Sequence, residues 1–172
     1  TKLYVESPVQ VFDMDISVLS PSFTPSHGFE SILMVLEKQN QLKPIFGFDS
    51  DKKSNISRLR KLLGAKIKSL KLIKNEEKCN QMVMLLNSKQ PIWLNWNWLK
   101  LLSIAFNLHF QIFSLSNKQS QEGVFIPHVT PLASAMYESE EIAAYVRLGH
   151  VTSFVGKQIR HVFVGIDIPQ FT

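Results

Sequence analysis

Trp98-Leu99-Lys100-Leu101-Leu102-Ser103-Ile104-Ala105-Phe106-Asn107-Leu108-His109-Phe110-Gln111-Ile112-Phe113-Ser114-Leu115 decides the fold class, because the spacing of its apolar residues changes midway. Trp98, Leu101, Leu102, Ala105 and Phe106 recur at the three- and four-residue intervals of one helix face. From His109 to Leu115 the pattern becomes that of a strand. Helical patterns lie upstream of this switch and strand patterns downstream of it. That order predicts an α+β domain whose helical N-terminal half packs on a mostly antiparallel C-terminal sheet.

Working back from the switch, Trp93, Trp96 and Trp98 read as core and rim of the most apolar helix rather than as a ligand cage, since their neighbours are large and one-sided. A preceding helix starts at Asn75, whose side chain can accept a backbone N–H while Glu76 and Glu77 favour the dipole. Its buried stripe is expected to be Cys79, Met82, Val83 and Leu86. Ile56, Leu59 and Leu63 mark a basic helix, capped by Ser54 or Asn55 and expected to stop at Gly64. Phe29, Ile32, Leu33 and Leu36 fall at i, i+3, i+4 and i+7, so the first helix opens near Gly28 and ends before Pro44. Ahead of it, residues 9–18 read as a short strand or extended segment entering the turn-rich run 20–26.

Working forward, residues 124–129, 142–148, 150–155 and 161–168 read as strands. Residues 116–123 suit a hairpin loop, and residues 131–141 a longer surface excursion.

With 172 residues, 45% of them hydrophobic, the chain supports one domain spanning residues 1–172 and is short for two. It begins at Thr1 and stays apolar to its end, which reads as a piece of a longer polypeptide. No apolar run approaches the roughly 20 residues of a membrane span, and no basic-then-apolar leader opens the chain. Cys79 is the single cysteine, which rules out an internal disulfide, a Cys-based zinc site and a CxxC redox motif. Such usage suits a reducing intracellular compartment, cytoplasm or nucleus.

The net charge of +5 is concentrated between Lys52 and Lys78, with Lys53, Arg58, Arg60, Lys61, Lys66, Lys68, Lys71 and Lys74 between them. A patch of this kind could meet phosphate or an acidic partner. No aromatic residue interrupts the run to stack on bases, so it reads as a solvated helical face and argues against nucleic acid as the partner.

Two segments carry a possible chemistry. Thr24-Pro25-Ser26-His27-Gly28-Phe29-Glu30-Ser31-Ile32 leads a loop into a helix N-terminus, where free N–H groups and the dipole would favour a nucleophilic anion. Tyr145-Val146-Arg147-Leu148-Gly149-His150-Val151-Thr152 places a histidine after Gly149 at the expected start of a strand, where it could take a proton.

These segments resemble the two catalytic stretches of the ovarian-tumour (OTU) family of cysteine deubiquitinases. Members typically show Asp-Gly-Asn-Cys followed by two bulky apolar residues, a polar one, a small one and an aliphatic one. In one register His27 takes the cysteine position, Phe29 the second apolar one, and Ser31 and Ile32 the small and aliphatic ones. A shift by one puts Gly28 in the cysteine position. Neither register supplies a thiol, and Thr24 and Pro25 replace the usual Asp-Gly. The stretch from Pro91 to Leu115 is similar to the family's Trp-containing turn, Leu/Ala helix and apolar strand. At the C-terminal motif Val151 stands for the aromatic residue and Thr152 for the acid or amide that orients the histidine. A hydroxyl does that less strongly than a carboxylate.

The resemblance spans roughly residues 20–156 and implies a papain-like, OTU-like fold with His150 as the base. Ser26 is a conceivable nucleophile beside His150, although an alcohol needs a far stronger base than a thiol does. Cys79, on an apolar helix stripe in another part of the chain, reads as an inert thiol. His27 and His150 together with Asp13 or Asp15 lack any zinc-type spacing, so neither a metal nor a cofactor is expected.

The expected function is therefore a catalytically inactive domain that binds ubiquitin, a ubiquitin-like protein or other proteins through the parent polypeptide. Two alternatives remain at this stage. One is an active thiol isopeptidase whose cysteine has been substituted, and the other is a basic nucleic-acid or protein-binding module unrelated to OTU.

Overall fold

A layer of helices covers one face of a mixed sheet in the computed structural model, which describes residues 9–11, 14–19, 27–49, 52–114, 142–155 and 157–167. In chain order the elements are β1 (Val9–Val11), β2 (Met14–Leu19), α1 (His27–Lys38), α2 (Leu42–Phe46), α3 (Lys52–Ser69), α4 (Glu76–Asn87), α5 (Trp96–Phe106), β3 (Leu108–Ser114), β4 (Ala144–Val155) and β5 (Gln158–Asp167). The α+β class follows directly. Segments 116–123, 124–129 and 131–141, expected as a hairpin loop, a strand and a surface excursion, lie outside the described residues.

The sheet runs in the order β1-β2-β5-β4-β3. β1–β2, β2–β5 and β5–β4 are antiparallel, and β3–β4 is parallel. The sheet is therefore mostly antiparallel, as the order of helical and strand patterns predicts. It is not wholly C-terminal: the segment expected as one extended piece forms two strands, and β2 joins β5 through Ser17↔Asp167 and Leu19↔Gly165.

Three α+β features differ from the periodicity. Gly64 does not end its helix, because α3 continues to Ser69. Leu59, Leu63 and Ile67 are fully buried on that helix, and their burial outweighs the roughly 1 kcal/mol that a mid-helix glycine costs. Pro44 lies inside the short helix α2, within its first turn, where the missing N–H has no helical acceptor to lose. Residues 142–148 and 150–155 join into one strand, β4, that passes through Gly149 without a break.

Strand alternation brings Leu108, Phe110 and Ile112 of β3 and Ala144, Val146 and Leu148 of β4 to the helix-facing side, all buried in the main core. α1 packs on β5 and β4, and α5 on β3 and α3. Asn75 caps α4 by accepting from the Lys78 N–H, as its sequence predicts, and Asn95 caps α5 by accepting from the Trp98 N–H. Val83 and Leu86 are buried on α4, while Cys79 and Met82 are only partly so. Trp98 is buried, Trp96 half-buried and Trp93 exposed, so the tryptophans divide between core and rim. None of the described helices is long and apolar enough to cross a membrane.

Candidate functional site

The candidate site begins with a strand register. β4 and β5 pair antiparallel so that His150 lies opposite Phe163. His150 is thus not at a strand start but midway along β4, on the same alternation as the core residues Val146 and Leu148. It is buried, and its ring centroid lies 5.2 Å from that of Phe163 at an interplanar angle of 43°.

Trp96, the first residue of α5, completes the arrangement. Its ring centroid is 5.2 Å from that of His150, tilted by 48°, and 5.2 Å from that of Phe163, edge-on at 90°. The Asn95 cap fixes where α5 starts and hence where Trp96 stands. The three rings form a closed triangle in which each packs against the other two.

The N-terminal turns of α1 reach the same region by two routes. Ser31, fully buried, donates its hydroxyl hydrogen to the carbonyl oxygen of Phe163 over 2.9 Å, tying α1 to the residue opposite His150. Gly28 packs against Leu94, two residues before Trp96. A Cβ at Gly28 would overlap Leu94 Cβ and sit 2.9 Å from its Cδ2, so a side chain in that position requires Leu94 to move. Glycine is needed here for close approach rather than for its φ.

Among the residues singled out by the sequence, His27 is the first residue of α1, Gly28 follows it in the buried contact just described, and His150 lies on β4. Thr152 occupies β4 two positions beyond His150, paired with His161. The side chains of His27 and Thr152, and the whole of Ser26, lie outside the described residues. The structure therefore joins the α1 N-terminal segment to His150 through Phe163, Trp96 and Leu94. Cys79 belongs elsewhere: it is partly buried on α4, which packs on α3.

Electrostatics at the α1 end are shaped by burial. Glu30, in the first turn, has its carboxyl pushed up from the usual range by partial desolvation. Among the described residues no three His, Cys, Asp or Glu side chains gather to hold a metal ion.

Chemically, the arrangement offers a buried imidazole packed against Trp96 and Phe163, with no thiol beside it. Sequence reasoning missed the roles of Leu94, Trp96 and Phe163. Trp96 was visible only as one of three clustered tryptophans, and nothing local distinguishes Phe163 from any other strand aromatic. No protein-family model matches the chain, and no curated protein is significantly similar to it.

Proposed function

We propose that this chain is an OTU-like, papain-type domain that has lost its nucleophile and binds ubiquitin or a ubiquitin-like protein without cleaving it. One observation carries the reading: the helix that would present the thiol is hydrogen-bonded through Ser31 to Phe163 on β5, the cross-strand partner of His150 on β4, while no cysteine stands on that helix. A base without a nucleophile supports recognition rather than acyl transfer. The loss extends beyond one position, since Thr24 and Pro25 stand where the resembled family has Asp-Gly and Thr152 where it has an acid or amide.

The reading puts the domain in the cytoplasm or nucleus, in keeping with its single unpaired cysteine. Titration with ubiquitin, followed by amide shifts or anisotropy, is expected to give saturable binding that weakens when Trp96 is changed to Ala. Absence of binding into the high micromolar range removes the ubiquitin assignment. Release of a fluorophore from the ubiquitin C-terminus above the buffer rate, lost in His150→Ala, removes the inactive half.

A further inference from the structure

The helical hairpin of α3 and α4 carries a second feature that the site near His150 does not use. Its closed end displays Lys66 and Lys68 from the last turn of α3, Lys71 and Lys74 from the connection, and Lys78 from the first turn of α4, all exposed. α3 contains no acidic residue, and among the described residues none of these five lysines has an ion-pair partner. The connection that displays them is ordered by its own backbone: the Leu70 N–H donates to Lys66, Lys71 to Lys68 and Leu72 to Ile67, with Lys71 at φ 52°.

Helix electrostatics account for part of this cluster and not the rest. Lys66 and Lys68 complement the negative end of the α3 dipole. Lys78 sits at the positive end of α4, where a cation is disfavoured, and Lys74 directly precedes the Asn75 cap. Glu76 and Glu77 leave the cluster at a net charge of +3 by difference, five lysines against two carboxylates. Uncompensated like charges destabilise a fold unless a counter-charge is supplied from outside.

The chemistry of the surroundings selects the counter-charge. No Phe, Tyr or Trp occurs between Phe48 and Trp93, so α3, α4 and their connection supply no ring on which an unpaired base could stack, which weighs against single strands and leaves the duplex backbone, which needs no stacking. Leu70 is the only exposed large apolar side chain at this end among the described residues, too little for insertion into a bilayer. Up α3 the basic surface continues through Lys61 to Arg58, also exposed. From Arg58 to Lys68 the helix advances about 15 Å. That length of duplex axis carries about nine phosphate charges.

We infer that the closed end of the α3–α4 hairpin binds the phosphate backbone of double-stranded nucleic acid without reading its bases. This goes beyond the binding proposed at His150 and does not depend on it.

The test uses the whole chain and a labelled RNA duplex of about 20 base pairs, with the same sequence as a single strand. Duplex binding is expected to fall about 100-fold between about 50 and about 200 mM salt for about four phosphate contacts. The triple variant Lys66→Glu, Lys71→Glu, Lys74→Glu should reduce the slope of log K against log salt by about 3. The same three changes to Gln should do likewise and guard against misfolding of the charge-reversed chain. A control carrying Lys43→Glu, Lys100→Glu and Lys157→Glu, exposed positions outside the hairpin, should keep the slope. Any of four results overturns the inference: no duplex binding at the lower salt, equal loss in the control, tighter binding of the single strand, or binding to phosphatidylserine vesicles but not to duplex.

Discussion

Ser31 and Phe163 are joined across 132 positions of the chain by a buried hydrogen bond, 2.9 Å from the serine hydroxyl to the phenylalanine carbonyl. Because Phe163 is the register partner of His150, this bond sets how α1 sits over the candidate site. Ser31→Ala leaves that carbonyl without its hydroxyl donor and is expected to cost about 1–2 kcal/mol in urea unfolding. A change within about 0.5 kcal/mol, the scatter of surface substitutions, would show that the bond does not anchor the helix.

Gly28 and Gly64 should respond to alanine in opposite directions. At Gly28 the new methyl meets Leu94, so Gly28→Ala is expected to destabilise by about 1–3 kcal/mol through overpacking. Adding Leu94→Ala should recover part of that loss, a coupling that a double-mutant cycle measures. At Gly64 the methyl would rest 3.5 Å from Val83 Cγ1 and 3.7 Å from Leu86 Cδ1, ordinary contact distances. Gly64→Ala is expected to raise stability by about 0.5–1 kcal/mol through helix propensity.

A thiol placed at residue 27 reports on the site directly. In a Cys79→Ser background, His27→Cys puts a cysteine at the first position of α1, where the dipole and, on the proposed function, the His150 imidazole would lower a thiol below its usual value of about 8.5. Alkylation by iodoacetamide should then show an apparent midpoint below that value, and His150→Ala should move it up. Identical pH profiles for the two proteins would separate position 27 from His150.

His109 should govern part of the acid sensitivity. Its Nδ1 is buried without a hydrogen-bond partner among the described residues, its ring lies 5.0 Å from that of Tyr145, and desolvation holds the imidazole below its usual range. A depressed folded pKa means stability that is present above the unfolded value of about 6.5 and is lost as pH falls through the folded value. His109→Phe keeps a ring on Tyr145 and removes the titration. Unfolding free energy should therefore fall less between about pH 6.5 and 5 than in the parent. An unchanged pH slope would assign that sensitivity to other groups.

Arg60 binds the two helices of the basic hairpin from inside. Its Nε donates to the Leu86 carbonyl over 3.1 Å and its Nη2 to the Leu85 carbonyl over 2.6 Å, at the C-terminal end of α4. Burial lowers the pKa of the guanidinium from its usual value, while the partners are carbonyls carrying the negative end of a dipole. Arg60→Met keeps the stem and removes both bonds, with an expected loss of about 2–4 kcal/mol and a lowered melting temperature. Retained stability would mean that water replaces the guanidinium at those carbonyls.

The helix-then-strand order, the Asn75 cap and the apolar character of α5 were legible because each depends on residues close together in the chain. The two candidate segments were legible as a helix opening near Gly28 and a histidine on a strand, for the same reason. The continuation of α3 through Gly64 was not, because local propensity disfavours it and only packing of that helix against the core overrides the penalty.

The amino-acid sequence by itself determined the α+β class, the concentration of positive charge between Lys52 and Lys78, and the lack of any cysteine at the α1 N-terminus. Tertiary structure alone decided that Phe163 and Trp96 pack on His150, that Leu94 packs on Gly28, and that β1 and β2 extend the sheet. The physical reason is range. Helix period, capping and charge are properties of neighbouring residues, whereas strand register and ring contacts join residues tens to more than a hundred positions apart, and their pairing is selected only when the whole core closes.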